Sequence, residues 1–466
     1  MSTACKCRPV TSRPGPPPWN ASSTSPNCCR DSPRARHRCR PSTSTSTRCS
    51  RSTVRPHHWP SDAGPVKIAL LSYEYPPETG FGGIGTYTWY QARGLVRAGH
   101  DVHVLAGATE PSDLRESEHD GVRVFRYRAD FARSLRVRAL RAGKLWWSKN
   151  RLENGISMER GLRRLLERHV YDIVEMPECG ADGLRIAGRI DAPTLIKLHS
   201  PAQLIMSTYD VRKADIILCS FLERRAMRRV TAVTSCSQFL AREVQTKLGI
   251  GKHIEVIYNG IDLTLFDKAP QFDARERFDI PHDVPMIFFA GRLEPRKGIH
   301  VLKDAAARVL ANHEAAFVFA GDDMFGYAEK EMKPFLDAQD LRGTYHFLGQ
   351  LDLAGVRSCL RQADIFVIPS LWENCPYSCL EAMAAGRAIV ASDAGGLPEL
   401  IEHDVSGLVA ATEDVTGTVD CLERLLADAD LRRRCGDAAR RSVEESLTDV
   451  HIAEQSAAYY AKVIAH

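Results

Sequence analysis

The sequence predicts an α/β chain made of two doubly wound units, each on a parallel sheet. Three observations carry this. From Val66 onward, short apolar runs bounded by turn residues alternate with helical stretches, as strands buried on both faces require. The alternation restarts after a polar, proline-bearing connection. And 466 residues are too many for one ordinary core.

Each element follows in order. "VKIALLSY" reads as the first strand and "TYTWYQARGLVRAGHD" as a helix, with Gly99 near its end. "VHVLAG", "VRVFRY", "YDIVEMPE", "PTLIKLHS" and "VTAVTSCS" are further strands, each beside a helical stretch. A second series starts near residue 254 with "IEVIYNGID". A segment with Pro270, Pro281 and Pro285 reads as the connection between units. "MIFFAGRL", "AAFVFAGD", "TYHFLGQ", "DIFVIPS" and "AIVASD" then read as strands, and Thr448 to His466 as a helix. The expected units are residues 65–255 and 256–447, with a C-terminal helix over 448–466.

Residues 1–64 differ. They are Ser-, Thr-, Pro-, Arg- and Cys-rich, with almost no aliphatic residues, so they cannot offset their own ordering entropy. They hold 11 Lys and Arg against 2 acids, a net of +9. The whole chain carries +4, which leaves the remainder at −5. A disordered basic tail is expected. Readings of it are an anionic-surface or nucleic-acid contact, a transit peptide, or a start codon called too early. Six of the 14 cysteines lie in the tail and the rest are scattered, with no disulfide framework and no paired CxxC units. A reducing cytosol is the simplest compartment. No apolar run is long enough to span a bilayer, and no secretory signal opens the chain.

Four stretches carry chemistry. "GFGGIGTY" follows the first strand and opens a helix, where glycines admit a close ligand and the helix N-terminus favours an anion. Its spacing is not GxGxxG, which disfavours a dinucleotide enzyme. "GRLEPRKG" puts Arg292 and Lys297 in a loop past a strand's C-terminal end, where open sheets bind ligands. Two such cations suit a diphosphate, and an ordinary exposed basic loop is the alternative. "LWENCPYSCLEAMAAG" holds Glu373 in a loop and Glu381 on the helix that follows, so both carboxylates can face one cleft. Its Cys375 and Cys379 read as packing residues. His199 ends the strand "PTLIKLHS", placed to donate a hydrogen bond or carry a proton.

Together, "YEYPPETGFGGIGTY", "KLHS", "VIYNGID", "FFAGRLEPRKG", the run from Ala363 to Leu400 and "VSGLV" resemble the retaining glycosyltransferases of family 4. The likeness covers about residues 66–466. It implies the GT-B fold: two Rossmann-like domains facing a central cleft, with the C-terminal helix crossing back to the first. It also implies a nucleotide-diphosphate sugar of UDP or GDP type as donor substrate, and no cofactor or metal. Arg292 and Lys297 would hold the diphosphate, Glu373 the sugar hydroxyls and Glu381 the ribose. Gly82 and Gly83 would approach the distal phosphate, and His199 the sugar near its reacting carbon. Asn374, Cys375 and Tyr377 complete the expected donor site, through backbone amides after Glu373. Pro376 supplies no amide where many relatives have glycine.

The expected acceptor is a sugar or a lipid-linked hydroxyl in cell-envelope, polysaccharide or glycolipid synthesis. No nucleic-acid partner is expected. The stretch 131–149, "FARSLRVRALRAGKLWWSK", is basic, has no acid and ends in Trp146 and Trp147. Two readings stay open: peripheral contact with an anionic membrane at the cytoplasmic face, or a solvated insertion whose tryptophans pack on the domain. The competing function is a nucleotide-sugar epimerase of the same architecture without an acceptor.

Overall fold

The computed structural model describes residues 64–465, apart from Phe81, Arg133 and Ala269. The expected basic tail, but for Gly64, lies outside the described residues.

The first sheet has eight strands: β1 (Lys67–Ser72), β2 (Asp101–Ala106), β3 (Ser112–His119), β4 (Val122–Arg128), β5 (Ile173–Pro177), β6 (Thr194–Leu198), β7 (Ala232–Ser235) and β8 (Ile254–Val256). Their order is β3-β4-β2-β1-β5-β6-β7-β8. All neighbours are parallel except β3 and β4. β1, β5 and β6 are apolar and buried almost throughout, the mark of strands covered on both faces. β8 pairs with β7, so "IEV" closes the first sheet and does not begin the second series.

The second sheet has six parallel strands: β9 (Met286–Ala290), β10 (Ala316–Ala320), β11 (Thr344–Gly349), β12 (Ile365–Ile368), β13 (Ala388–Ser392) and β14 (Leu408–Ala410). Their order is β11-β10-β9-β12-β13-β14.

Nine helices matter to the argument. In the first unit they are α1 (Gly83–Arg97), α2 (Leu135–Ala142), α3 (Trp146–Leu166), α4 (Lys213–Arg229) and α5 (Gln238–Leu248). In the second they are α6 (Ile299–Asn312), α7 (Leu353–Gln362) and α8 (Tyr377–Ala384), and α9 (Asp449–Ile464) ends the chain. α8 stops where the sequence predicts, with Gly386 in the left-handed region at φ 66°.

α9 crosses back to the first unit. Ala453, Ala457, Tyr460 and Val463 join one core with Ile68, Leu70, Ala92 and Leu95. The Tyr460 hydroxyl donates to the buried Glu175 carboxylate at 2.6 Å, and Tyr87 donates to the other oxygen at 2.7 Å. The crossing depends on close backbone approach. A Cβ on Gly94 would overlap the Asp449 carbonyl, and one on Gly260 would press on the Asp449 Cα. Arg97 ties both strands of the crossing, binding Asp449 at 2.6 Å and also Asp262. Gly94→Val should therefore lower unfolding stability by about 2 kcal/mol or more, the cost of forcing a side chain into packed backbone. Urea denaturation measures this; an unchanged midpoint would show that α9 does not dock there.

Candidate active site

Both sheets end their strands at one cleft, and the loops beyond those ends carry the residues predicted for the site. After β9 the chain runs through Arg292 and a single turn at Pro295–Lys297, ending at Gly298 with φ 70°. A Cβ on Gly298 would overlap the Pro369 carbonyl oxygen, so only glycine lets this loop lie against the end of β12. The approach sets Lys297 against the next loop, where its Nζ meets Glu373 Oε1 at 2.5 Å. The Ser370 hydroxyl donates to the same oxygen at 2.9 Å.

Burial alone would push Glu373 up, but Lys297, Arg296 and the Ser370 hydroxyl outweigh it and hold the carboxyl below the usual range. Burial pulls Lys297 down, and Glu373 opposes that pull. The Glu373 loop is gripped from behind by a Gly-Gly turn. Gly395 has φ 64°, and a Cβ on it would overlap the Glu373 carbonyl; one on Gly396 would overlap that of Asn374. Gly396 N–H donates to Glu373 O at 2.9 Å.

Arg292 is the exposed member of the pair of predicted cations, 3.2 Å from Glu294. Arg296, a third cation of this loop that no motif singles out, is buried. It binds Glu294 at 2.8 Å, the Trp372 carbonyl at 3.2 Å and the Tyr209 hydroxyl at 2.9 Å. Tyr209 comes from the first unit, and its hydroxyl also donates to Glu294 at 3.2 Å. Thus a tyrosine crosses the cleft to the cation loop. No motif announces it, since Tyr209 sits in an irregular segment before α4.

On the first-unit wall, Gly82 caps α1 without a side-chain partner and Gly83 opens it. Both are exposed, and a Cβ on Gly83 would meet nothing within 4 Å. A Cβ on Gly82 would strike the Glu74 carboxylate. Burial raises the Glu74 carboxyl, eased by the Gly85 amide and by Arg292.

His199 is buried beside Tyr87, ring centroids 4.8 Å apart. Burial, helped by neighbouring Lys197, pulls its imidazole down to about 3, so the fold favours the neutral ring. Its backbone N–H donates to Glu178 at 3.0 Å, and Ser200 N–H to the same carboxylate at 2.5 Å. Asn374 joins the two walls: its Nδ2 donates to the His199 carbonyl at 2.5 Å and to Ser200 Oγ at 3.2 Å. Its Oδ1 is buried with no partner among the described residues. Glu399 adds a further bridge, accepting the Gln238 and Phe239 amides at the start of α5.

Cys375 is buried and burial pushes its thiol up to about 12, as a packing residue requires; its carbonyl accepts from Asn259 at 2.9 Å. Pro376 occupies the N-cap of α8, leaving the Tyr377 and Ser378 amides without intrahelical acceptors. Tyr377 stacks on Tyr90 of α1 at 5.3 Å. Glu381 lies one turn further on, buried, and shares no partner with Glu373. Burial raises its carboxyl to about 7, offset in part by Arg357. Among the described residues no three His, Cys, Asp or Glu side chains gather as metal ligands would.

Residues 81–265 match the family described as Glycosyltransferase Family 4, and residues 270–442 the family described as Glycosyl transferases group 1. The chain is 30% identical over 407 residues to an uncharacterized glycosyltransferase of Methanocaldococcus jannaschii, covering 85% of this chain and 98% of that protein. It shares its fold with sucrose-phosphate synthase of Thermosynechococcus elongatus, at TM-score 0.70 and 21% identity over 86% of this chain and all of that one. The Anabaena protein HepE, solved with UDP and glucose, matches at TM-score 0.63 and 20% identity, over 85% of this chain and all of that one. The two-sheet architecture is therefore the GT-B fold. The chain belongs to the family 4, group 1 glycosyltransferases and is a glycosyltransferase. The epimerase alternative gains no support from these matches.

Glu381 supplies a check on the site's electrostatics. Its folded pKa of about 7 lies above the ordinary value of 4.5, so the fold favours the protonated form. The cost of ionising it grows from about pH 4.5 to 7 and is full above that. Glu381→Gln should stabilise the protein at pH 8 by on the order of 2 kcal/mol, with the gain fading towards pH 4.5. Thermal unfolding across pH checks this; a gain independent of pH would refute the assignment.

Proposed function

We propose that this enzyme moves a sugar from a nucleotide-diphosphate donor to an acceptor hydroxyl with retention of the anomeric configuration. The observation that carries it is the Lys297–Glu373 pair at the end of the second sheet, with Arg292 of the same loop acting on Glu74 at the glycine start of α1. Cleaving the bond between sugar and phosphate builds negative charge on the departing diphosphate. Fixed cations act where that charge grows. Lys297 and the exposed Arg292 supply them, and α1 offers the amides of Gly82 and Gly83 to the distal phosphate.

In this reading Glu373 takes the sugar hydroxyls with its second oxygen, Oε1 being occupied by Lys297 and Ser370. Asn374 Oδ1, buried and unpartnered, suits a donor hydroxyl or amide of the ligand. Glu381 takes the ribose, and Cys375 and Tyr377 line the donor through their backbone. The sugar's C1–O bond to phosphate breaks as the acceptor oxygen bonds C1 on the same face. The acceptor's proton passes to the leaving phosphate oxygen. Glu373 is already held by Lys297 and Ser370, which favours a gripping role over covalent attack. Neutral His199 donates a hydrogen bond near the reacting carbon.

A UDP or GDP donor is proposed, and the HepE complex with UDP supports the UDP form. A sugar or lipid-linked acceptor would enter along the first unit's wall. Lys297→Ala should cut turnover at least about a hundredfold, the scale of losing one preorganised charge, with the far-ultraviolet spectrum unchanged. Release of nucleotide from a panel of UDP-, GDP- and ADP-sugars, with chelator present, reads this. Unchanged turnover would remove Lys297 from the phosphate site. An inverted product anomer in NMR would overturn retention.

A further inference from the structure

The first unit carries a surface that glycosyl transfer within the cleft does not use. Among the described residues, ten large apolar side chains are exposed, and five of them fall on two neighbouring segments. Leu135 (76% exposed) lies on α2, Trp146 and Trp147 (44% each) open α3, and Ile217 (69%) and Phe221 (57%) lie one turn apart on α4. The tryptophans are thus half in solvent and not fully packed on the domain. The segments touch. Trp147 and Ser148 donate their backbone N–H groups to Asp215 of α4, at 2.9 and 2.8 Å, and Arg212 donates to the Gly143 carbonyl at 2.5 Å.

The charge on this face has one sign. Residues 131–149 contain no acid. The two acids of α4 are both buried and consumed: Asp215 by the amides above, and Glu223 by Arg151 and the Ala202 amide, each at 2.7 Å. The exposed cations include Arg136, Arg138, Lys144, Lys213 and Arg225; the exposed acids Asp130 and Asp210 lie only at the edges. On α4, Lys213, Ile217, Phe221 and Arg225 follow one another at four-residue steps, so a basic–apolar–apolar–basic stripe faces outward. Aromatic and aliphatic tips set among lysines and arginines are the chemistry of an interfacial anchor on an anionic lipid surface.

We infer that α2, the start of α3 and the outer face of α4 dock this enzyme on an anionic membrane. The surface adjoins the cleft: Tyr209, just before α4, is the residue that reaches the cation loop. Docking there would bring a lipid-borne hydroxyl to the first-unit wall. The inference does not rest on the donor assignment, because vesicle binding needs no donor.

The test is flotation of the full chain with phosphatidylcholine vesicles, with and without phosphatidylglycerol. Ile217→Ser/Phe221→Ser and Arg136→Glu/Arg138→Glu are the variants. Nucleotide release from the donor sugar is measured in parallel and should stay at the wild-type rate in both. The wild type should bind the anionic vesicles and not the neutral ones, and lose binding in high salt. Each variant should weaken binding at least about tenfold, the first by removing two inserted apolar tips and the second because each basic residue near such a surface is worth roughly fivefold. Both variants keep residues 1–64, so binding that neither one weakens would assign the effect to that tail and overturn the inference. So would equal binding to neutral vesicles, or no vesicle binding while the variants abolish self-association or RNA binding instead.

Discussion

The contact on which the rest of the cleft depends is the ion pair between Lys297 and Glu373. Two charges taken out of water cost several kcal/mol unless their geometry and remaining hydrogen bonds repay it. Here the repayment is built from behind. Ser370 donates to the same carboxylate oxygen, and Arg296 adds positive charge beside it. Gly298 lets the cation loop touch Pro369, and Gly395 and Gly396 let a turn lie flat on Glu373 and Asn374. Three glycines thus bring three loops within hydrogen-bonding distance, and a charged pair is held in place before any ligand arrives.

The first unit is organised to meet that pair. Asn374 grips the turn at His199 and Ser200, Glu399 caps α5, and Tyr209 binds the Glu294–Arg296 pair. Each is a polar contact between the two walls. On the far side, Arg97, Asp262 and Asp449 clamp the place where α9 returns. Burial raises Asp449 to about 6, with Arg97 opposing the shift, so the ionised carboxylate costs the fold stability and Arg97 offsets only part of that cost. The walls therefore close on the cleft through specific side chains while the crossing stays anchored by packed backbone.

Much of this was legible in the residues. Apolar runs such as "MIFFA" and "DIFVIPS" locate buried parallel strands, and loops after them locate Arg292, Lys297 and Glu373 at one sheet edge. Three things were not legible. β3, "SDLRESEH", has a single leucine among polar residues and takes its shape from pairing with β4, so no periodicity marks it. β8 sits where the chain leaves the first unit, and its three residues could open either sheet. Tyr209, Arg296 and Glu399 act through contacts between residues 85 to 161 positions apart, which no local pattern encodes.

The most direct measurement is a double-mutant cycle on binding of the nucleoside diphosphate alone, by calorimetry, with Lys297→Met and Glu373→Gln. The diphosphate lacks the sugar that Glu373 would grip, so the direct contact of Glu373 towards it runs through Lys297. If the pair is the organising contact, Glu373→Gln changes affinity by more than about fivefold when Lys297 is present and not when it is Met, a coupling of roughly 1 kcal/mol. Equal effects of Glu373→Gln in both backgrounds would contradict the account.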